Sequence, residues 1–422
     1  MTDIYLPVLH EGQREIWRNR TRLNAVRCGR RWGKTKMMVT IAADSGAKGE
    51  PVGLFTPEHK QLAEPFDELK DILSPIIRRA SANEGVIKTW TGGVLDFWAT
   101  GDNELAGRGR EYRVVLMDEQ AFTKNSNSKA IWERSIKPTM LTTKGTAWAF
   151  STPNGMSEEN LFWQFCNDPA MGFENFHAPT SSNPYVPQDE LEQERIKTHP
   201  LVFQQEFLAE FVDWSGVQFF DIANCLAGGE PVDWPTDSDC VFAVIDSAIK
   251  TGRENDGTAV GFFARNNLHG HRLVLLDWDI VQIEGGSLED WIPSIFERLE
   301  YLAQTCRARA GTIGTFIEDK ASGSILLQQG YRRGWPVTAI DSGLTAMGKD
   351  ERCIDVSGYV YQGLFKLSRY AYEKVVSYKG ASRNHFNNQF FGYRVGVKNQ
   401  ADDLLDVGCY GIAIALGNSD GY

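Results

Sequence analysis

The chain has 422 residues, 42% hydrophobic and 23% charged, with 40 glycines and 16 prolines. That composition excludes a collagen-like, coiled-coil or wholly disordered chain, and the length predicts roughly two or three domains. A formal net charge of -11 excludes a histone-like basic coat, although a nucleic-acid partner needs only a local basic groove.

No apolar run approaches the ~20 residues of a membrane span, and Met1–Gly12 lacks the basic-then-apolar order of a secretory signal, so the expected location is the cytoplasm. The cysteines at 28, 166, 225, 240, 306, 353 and 409 form no CxxC pair. Neither a zinc site nor a disulfide framework is expected.

In chain order, Leu23–Val26, Val52–Thr56, Val94–Ala99, Val114–Met117 and Ala147–Ser151 read as strands. Several are nearly continuously apolar, as a parallel sheet covered on both faces requires, and the helical stretches between them predict an α/β domain over 1–212. Its last part, Pro187–Val212, mixes charged and apolar residues in a pattern that predicts a helical connector. Asp213–Asp239, with Gly216, Gly228, Gly229, Pro231 and Pro235, predicts a linker. A second α/β domain over 240–422 has expected strands at Val241–Ile245, Thr258–Phe263, Leu273–Trp278 and Thr315–Ile317, with helices around Leu288–Ala308 and Asp402–Leu416.

The strongest local signal is Arg27-Cys28-Gly29-Arg30-Arg31-Trp32-Gly33-Lys34-Thr35, between a strand and a helical stretch. Backbone N–H groups of such a loop, at Gly29, Arg31 and Gly33, face phosphates; Lys34 reaches the β/γ oxygens and the Thr35 hydroxyl suits Mg²⁺. The loop departs from GxxxxGK[ST] in having Cys28 at the first glycine position. Met117-Asp118-Glu119 ends an apolar strand in two acids, Asp118 to hold Mg²⁺ through water and Glu119 to polarise the attacking water. Together the two motifs predict an ATPase.

Arg30 is a candidate finger acting in cis on the γ-phosphate. Gln13, after an apolar entry, could read the adenine edge with its amide. The strand end Ser151-Thr152-Pro153-Asn154-Gly155 lies where Thr152 could sense the γ-phosphate. Arg108 and Arg110, around Gly107 and Gly109, are candidates for an arginine given to a neighbouring subunit, or for phosphate contacts with DNA.

In the second half, strands end in Asp246 and in Glu318-Asp319, Asp256 precedes another strand, and Asp402, Asp403 and Asp406 head an apolar helix. Any one of these acids fits an ordinary strand end or helix start. As a set they predict a metal nuclease in which Asp246, Glu318 and the Asp403/Asp406 pair share two Mg²⁺ or Mn²⁺ ions. Glu318 and Asp319 would point to opposite faces, so one of them is the expected ligand. Lys374, Lys379, Arg383, Arg394 and Lys398 form an acid-free basic stretch with interleaved aromatics, a candidate DNA path or a solvated hairpin.

Taken together, these motifs resemble the large subunit of tailed-phage or prophage terminase. Arg27–Thr35 is similar to the arginine-bearing Walker A loop of that family, Met117–Glu119 to its Walker B and Ser151–Pro153 to its coupling motif. Gln13 resembles its adenine-reading glutamine, and Gln205–Phe211 the helical stretch before its nuclease. The resemblance implies a RecA-like P-loop ATPase followed by an RNase H-like nuclease, with Asp246, Glu318 and Asp403/Asp406 as nuclease acids and Lys349 and Arg352 in a shared segment. It also implies ATP-driven movement of double-stranded DNA into a procapsid, cleavage of concatemers, and a portal ring, a small terminase subunit and further copies of the chain as partners. The competing enzyme reading is a helicase-nuclease of repair or restriction.

Overall fold

The computed structural model describes residues 3–101, 103–123, 125–247, 257–282, 288–320, 322–397 and 400–417. The expected Asp256 and Lys398 lie outside them. The chain divides into two compact units, one of Met1–Arg195 with Pro200–Asp213, the other of Ile196–His199 with Trp214–Tyr422.

The first unit is built on eight strands: β1 (Leu23–Cys28), β2 (Pro51–Thr56), β3 (Ile77–Ser81), β4 (Val86–Thr89), β5 (Val94–Ala99), β6 (Val114–Met117), β7 (Thr146–Ser151) and β8 (Glu174–Ala178). Their order is β3-β4-β5-β2-β6-β7-β1-β8. β5, β2, β6, β7, β1 and β8 run parallel, whereas β3 and β4 pair antiparallel at one edge. Neighbouring residues of each strand point to opposite faces. Leu54, Leu116 and Trp148 therefore pack with Met37, Met38, Ile41 and Leu69 on one side, and Phe55, Met117 and Ala149 with Trp132, Phe162 and Phe165 on the other. Because β7 lies between β1 and β6, the carboxyl ends of the loop strand, the acid-tipped strand and the Ser151–Thr152 strand sit side by side.

The expected helical connector is two helices, Gln188–Lys197 and Pro200–Glu206. Pro200 cannot continue a preceding helix, and the helix stops at Glu206 rather than running to Val212. Beyond it, Ala209 takes a left-handed backbone at φ 57.

The second unit has a six-stranded sheet in the order β13-β12-β9-β10-β11-β14, formed by β9 (Cys240–Asp246), β10 (Thr258–Arg265), β11 (Leu273–Val281), β12 (Thr312–Ile317), β13 (Val337–Ala339) and β14 (Phe365–Leu367). β9, β10 and β11 are antiparallel; β12 joins β9 in parallel. The helix Asp403–Leu416, apolar apart from Asp403, Asp406 and Tyr410, covers one face with Lys349–Tyr361. Leu288–Thr305 and Ser322–Arg333 cover the other. Residues expected as linker also join this core, since Phe219, Phe220 and Cys225 are buried in it. Among the described residues no helix is long and apolar enough to cross a membrane.

Candidate functional site

The 27–35 loop leaves β1 and enters the helix Lys34–Ala47 through Gly33, whose φ of 100 is left-handed. The missing first glycine has a local cause. Cys28 still belongs to β1 and is fully buried, its Sγ 3.4 Å from Val26 O. Gly29 is the crowded position, where a Cβ would collide with Phe207 O and Thr180. Three polar side chains fix the loop's carbonyls: Thr180 Oγ1 donates to Arg30 O and Asn183 Nδ2 to Arg31 O, both at 2.7 Å, and Gln13 Nε2 to Gly33 O at 2.8 Å. Gln13 is buried, and its Oε1 accepts the His10 N–H at 2.9 Å. Both ends of the amide expected to read adenine are thus engaged, one on the loop and the other on the N-cap of the helix Glu11–Arg18.

Lys34 Nζ is paired with Glu119 Oε1. Burial works against the Lys34 charge, but Glu119 and Asp118 outweigh it and hold the ammonium above its usual range. Glu119 has a left-handed backbone, φ 48, and its Oε2 is buried without a hydrogen bond. Positive φ in a non-glycine residue costs energy and concentrates at functional sites; here it turns the carboxylate toward Lys34. Asp118 Oδ1 accepts the Glu119 N–H at 3.0 Å. Ser151 Oγ takes the Ala121 N–H at 3.1 Å and Asn160 Nδ2 donates to Ala121 O at 2.9 Å, tying the end of β7 to the acidic turn. Thr152 is buried next to Ser151, while Thr35 is half-buried and Arg31 exposed.

Arg30 does not stand free: its Nε contacts Glu206 Oε2 at 2.5 Å. Arg110 Nε lies 3.4 Å from buried Asp96 Oδ2, whereas Arg108 is exposed between Gly107 and Gly109.

Asp118 makes a stability prediction. Burial raises its carboxyl to about 6, against the pull of Lys34 and with the help of Glu119. A carboxyl whose folded pKa exceeds its unfolded one binds protons better in the native state, so stability falls as pH rises between the two values. From 3.8 to about 6, the cost amounts to about 3 kcal/mol once pH exceeds both. Asp118→Asn in nucleotide-free, chelated protein should raise the first unit's calorimetric unfolding temperature at about pH 7 and lose that gain near pH 4. An equal gain at both pH values would assign the effect to another cause.

In the second unit, Asp246 at the end of β9, Glu318 just past β12, and Asp403 and Asp406 on the first turn of their helix come together. Burial, then Asp406, Glu318 and Asp403, raise the Asp246 carboxyl well above its usual range. Tyr410, one turn beyond Asp406, donates from its hydroxyl to Glu318 Oε1 at 3.0 Å, and Lys320 Nζ lies 2.9 Å from the same oxygen. Asp319 is exposed and takes a hydrogen bond from Ser324 at 2.6 Å.

Asp402 sits at the rim, paired with Lys349, which is also 3.5 Å from Asp406 Oδ2. Arg352 is buried over the Tyr410 ring, with Nη2 3.5 Å from Asp406 Oδ1. Burial raises the Asp406 carboxyl although Lys349 and Arg352 oppose it. Among the described residues no three potential ligands are gathered closely enough to hold an ion as they stand. Even so, the donor set fits a hard divalent cation: several buried carboxylates repel one another, and Asp406 Oδ1 has no hydrogen bond.

The basic stretch is divided by the fold. Lys374 is committed to buried Asp277 at 2.8 Å, so its expected place in a DNA path is not supported by its position. Tyr378, Phe386, Phe390 and Phe391 are buried in the core. Lys379 and Arg383 are exposed on the hairpin of β15 (Val376–Tyr378) and β16 (Ala381–Arg383), and Arg394 is half-buried.

No family model and no curated protein matches the chain by sequence. Among solved structures, the large terminase of a thermophilic bacteriophage in complex with ADP is similar, at 13% identity and a TM-score of 0.66 over 96% of this chain and 99% of that one. The same protein in complex with ATP-gamma-S gives 14% identity and a TM-score of 0.63 over 96% and 98%. The large terminase of bacteriophage HK97 aligns over 97% of this chain and 95% of its own, at 12% identity and a TM-score of 0.41. At these identities the likeness to the thermophilic phage protein shows the fold alone, an α/β fold shared over nearly the whole of both chains.

Proposed function

We propose that this chain is the DNA-packaging motor of a tailed phage or prophage, driving double-stranded DNA into a procapsid by ATP hydrolysis and cutting concatemers with its second unit. The observation that supports this reading is the presence, on two sheets of one chain, of a loop whose Lys34 pairs with Glu119 and of a separate acidic cluster of Asp246, Glu318 and Asp406. In the nucleotide site, Lys34 leaves Glu119 for the more highly charged β/γ-phosphates, which frees Glu119 to orient water. Thr35 and Asp118 would hold Mg²⁺, and Thr152, just past the end of the strand between the loop strand and the acid-tipped strand, would sense the γ-phosphate.

In the nuclease site, Asp246, Glu318, Asp403 and Asp406 would hold two Mg²⁺ or Mn²⁺ ions, which supply an activated water and stabilise the leaving oxygen when bound. Tyr410 fixes the Glu318 carboxylate, and Lys349 and Arg352 offset charge at the Asp402/Asp406 side. A portal ring, a small terminase subunit and further copies of the chain are the proposed partners, in the cytoplasm of the bacterial host.

The decisive assay measures ATP hydrolysis and plasmid cleavage with and without DNA and procapsids. Stimulation by duplex DNA and procapsids is expected. Strand unwinding without procapsid stimulation would favour the helicase-nuclease reading instead. For the DNA path, Lys379→Ala/Arg383→Ala should weaken binding to all sequences and flatten the log K against log salt slope by about 2, because each phosphate contact releases counterions. An unchanged slope would move the path off this hairpin.

A further inference from the structure

Two adjacent residues, Gln205 and Glu206, carry an unbroken chain of hydrogen bonds between parts of the nucleotide site that are far apart in sequence. The Gly155 N–H, at the turn after Thr152 and Pro153, donates to Gln205 Oε1 at 2.9 Å. Gln205 Nε2 approaches Glu206 Oε1 at 3.4 Å, and Glu206 Oε2 receives Arg30 Nε at 2.5 Å. The backbone repeats the connection, since the Arg30 N–H donates to Glu206 O at 2.7 Å and the Thr180 N–H to Phe207 O at 2.8 Å.

The exposures differ in an informative way. The Glu206 side chain is 13% exposed and that of Arg30 66%. The carboxylate is therefore the fixed partner and the guanidinium the one facing outward. A guanidinium has five N–H donors in a rigid fork. Holding it by Nε leaves the two terminal nitrogens available to a phosphate, and a partly buried charge-assisted hydrogen bond fixes direction more firmly than an exposed one.

We propose that Glu206 is a positioning residue that aims Arg30 at the transferring phosphoryl group, and that Gln205 makes this aim depend on the turn after Thr152. The inference rests on the ATPase reading above. A shift of the 152–155 turn would move Gln205, then Glu206, then the arginine, without passing through the nucleotide.

The test is a double-mutant cycle on the full chain, with kcat and KM for ATP measured beside the thermal unfolding midpoint. Glu206→Gln keeps the shape but removes the charge and, having one acceptor oxygen in place of two, gives up one of the two hydrogen bonds the carboxylate accepts. It is expected to lower kcat by about ten- to a hundredfold, the range that a hydrogen bond to a charged group is worth, with KM moving less than about threefold. Combined with Arg30→Ala, it should lower kcat no further than Arg30→Ala alone, because both changes remove one interaction. Gln205→Leu should lower kcat in the same direction and likewise add nothing to Arg30→Ala. Multiplying effects in the double variants, or a Glu206→Gln chain with wild-type kcat, would overturn the proposal. A wild-type chain without ATP hydrolysis would instead overturn the ATPase reading itself, so the two failures are distinguishable. Should Glu206→Gln only lower the unfolding midpoint and leave kcat per folded molecule intact, the residue is structural and the proposal is wrong.

Discussion

Glu119→Gln is expected to lower the ATP turnover number by about 10²–10⁴-fold while leaving nucleotide binding in place, and Lys34→Ala to lose both. The difference follows from what each side chain does at rest. Glu119 holds its carboxylate toward Lys34 from a left-handed backbone, with one oxygen on the ammonium and the other buried and unbonded. The glutamine keeps the shape but has no charge with which to polarise water. It also releases Lys34 from its strongest local attraction, so phosphates meet a less occupied ammonium and binding is preserved or tightened. Removing Lys34 takes away the cation itself and leaves Asp118 and Glu119 facing incoming phosphate charge uncompensated. Single-turnover hydrolysis and fluorescent-nucleotide titration separate the two outcomes. Near-normal turnover in Glu119→Gln would place water activation on another residue. Plasmid cleavage should persist in both variants, because the acids it needs belong to a different sheet.

The strands that carry chemistry were legible because they are central. β1, β2, β6 and β7 each have partners on both sides and read as apolar runs, whereas β3 and β8 are edge strands, Ile-Arg-Arg-Ala-Ser and Glu-Asn-Phe-His-Ala, with too much polarity to give that signal. Motif residues close in sequence, such as Lys34 and Thr35 or Asp118 and Glu119, were legible for the same local reason. The residues that hold them were not. Glu206 meets Arg30 across 176 positions and Lys374 meets Asp277 across 97, and no periodicity reports pairings of that range. Tyr410 was recoverable in principle, being four residues after Asp406 on one helix face. The exchange of glycine for Cys28 became intelligible only from the crowding around Gly29.

Asp246→Asn is expected to reduce plasmid cleavage by more than about a hundredfold, given that even residues behind a metal ligand are worth about ten- to a hundredfold. The same substitution should stabilise the chelated protein at neutral pH. Asp246 sits among Asp406, Glu318 and Asp403, and burial together with those charges holds its carboxyl well above the ordinary range. The native state therefore prefers it protonated, its ionisation costs stability as pH rises through the folded value, and asparagine escapes that cost. A divalent cation reverses the balance, since like charges that repel one another become ligands. Mn²⁺ should thus raise the wild-type unfolding midpoint in proportion to the logarithm of its concentration above Kd, and raise that of Asp246→Asn much less. Cleavage alone leaves a misfolded variant as an alternative explanation, but the paired melting curves do not, because the variant is expected to be the more stable protein without metal. If Mn²⁺ shifts both proteins equally, the ion binds elsewhere and Asp246 is a buried acid with a structural part to play.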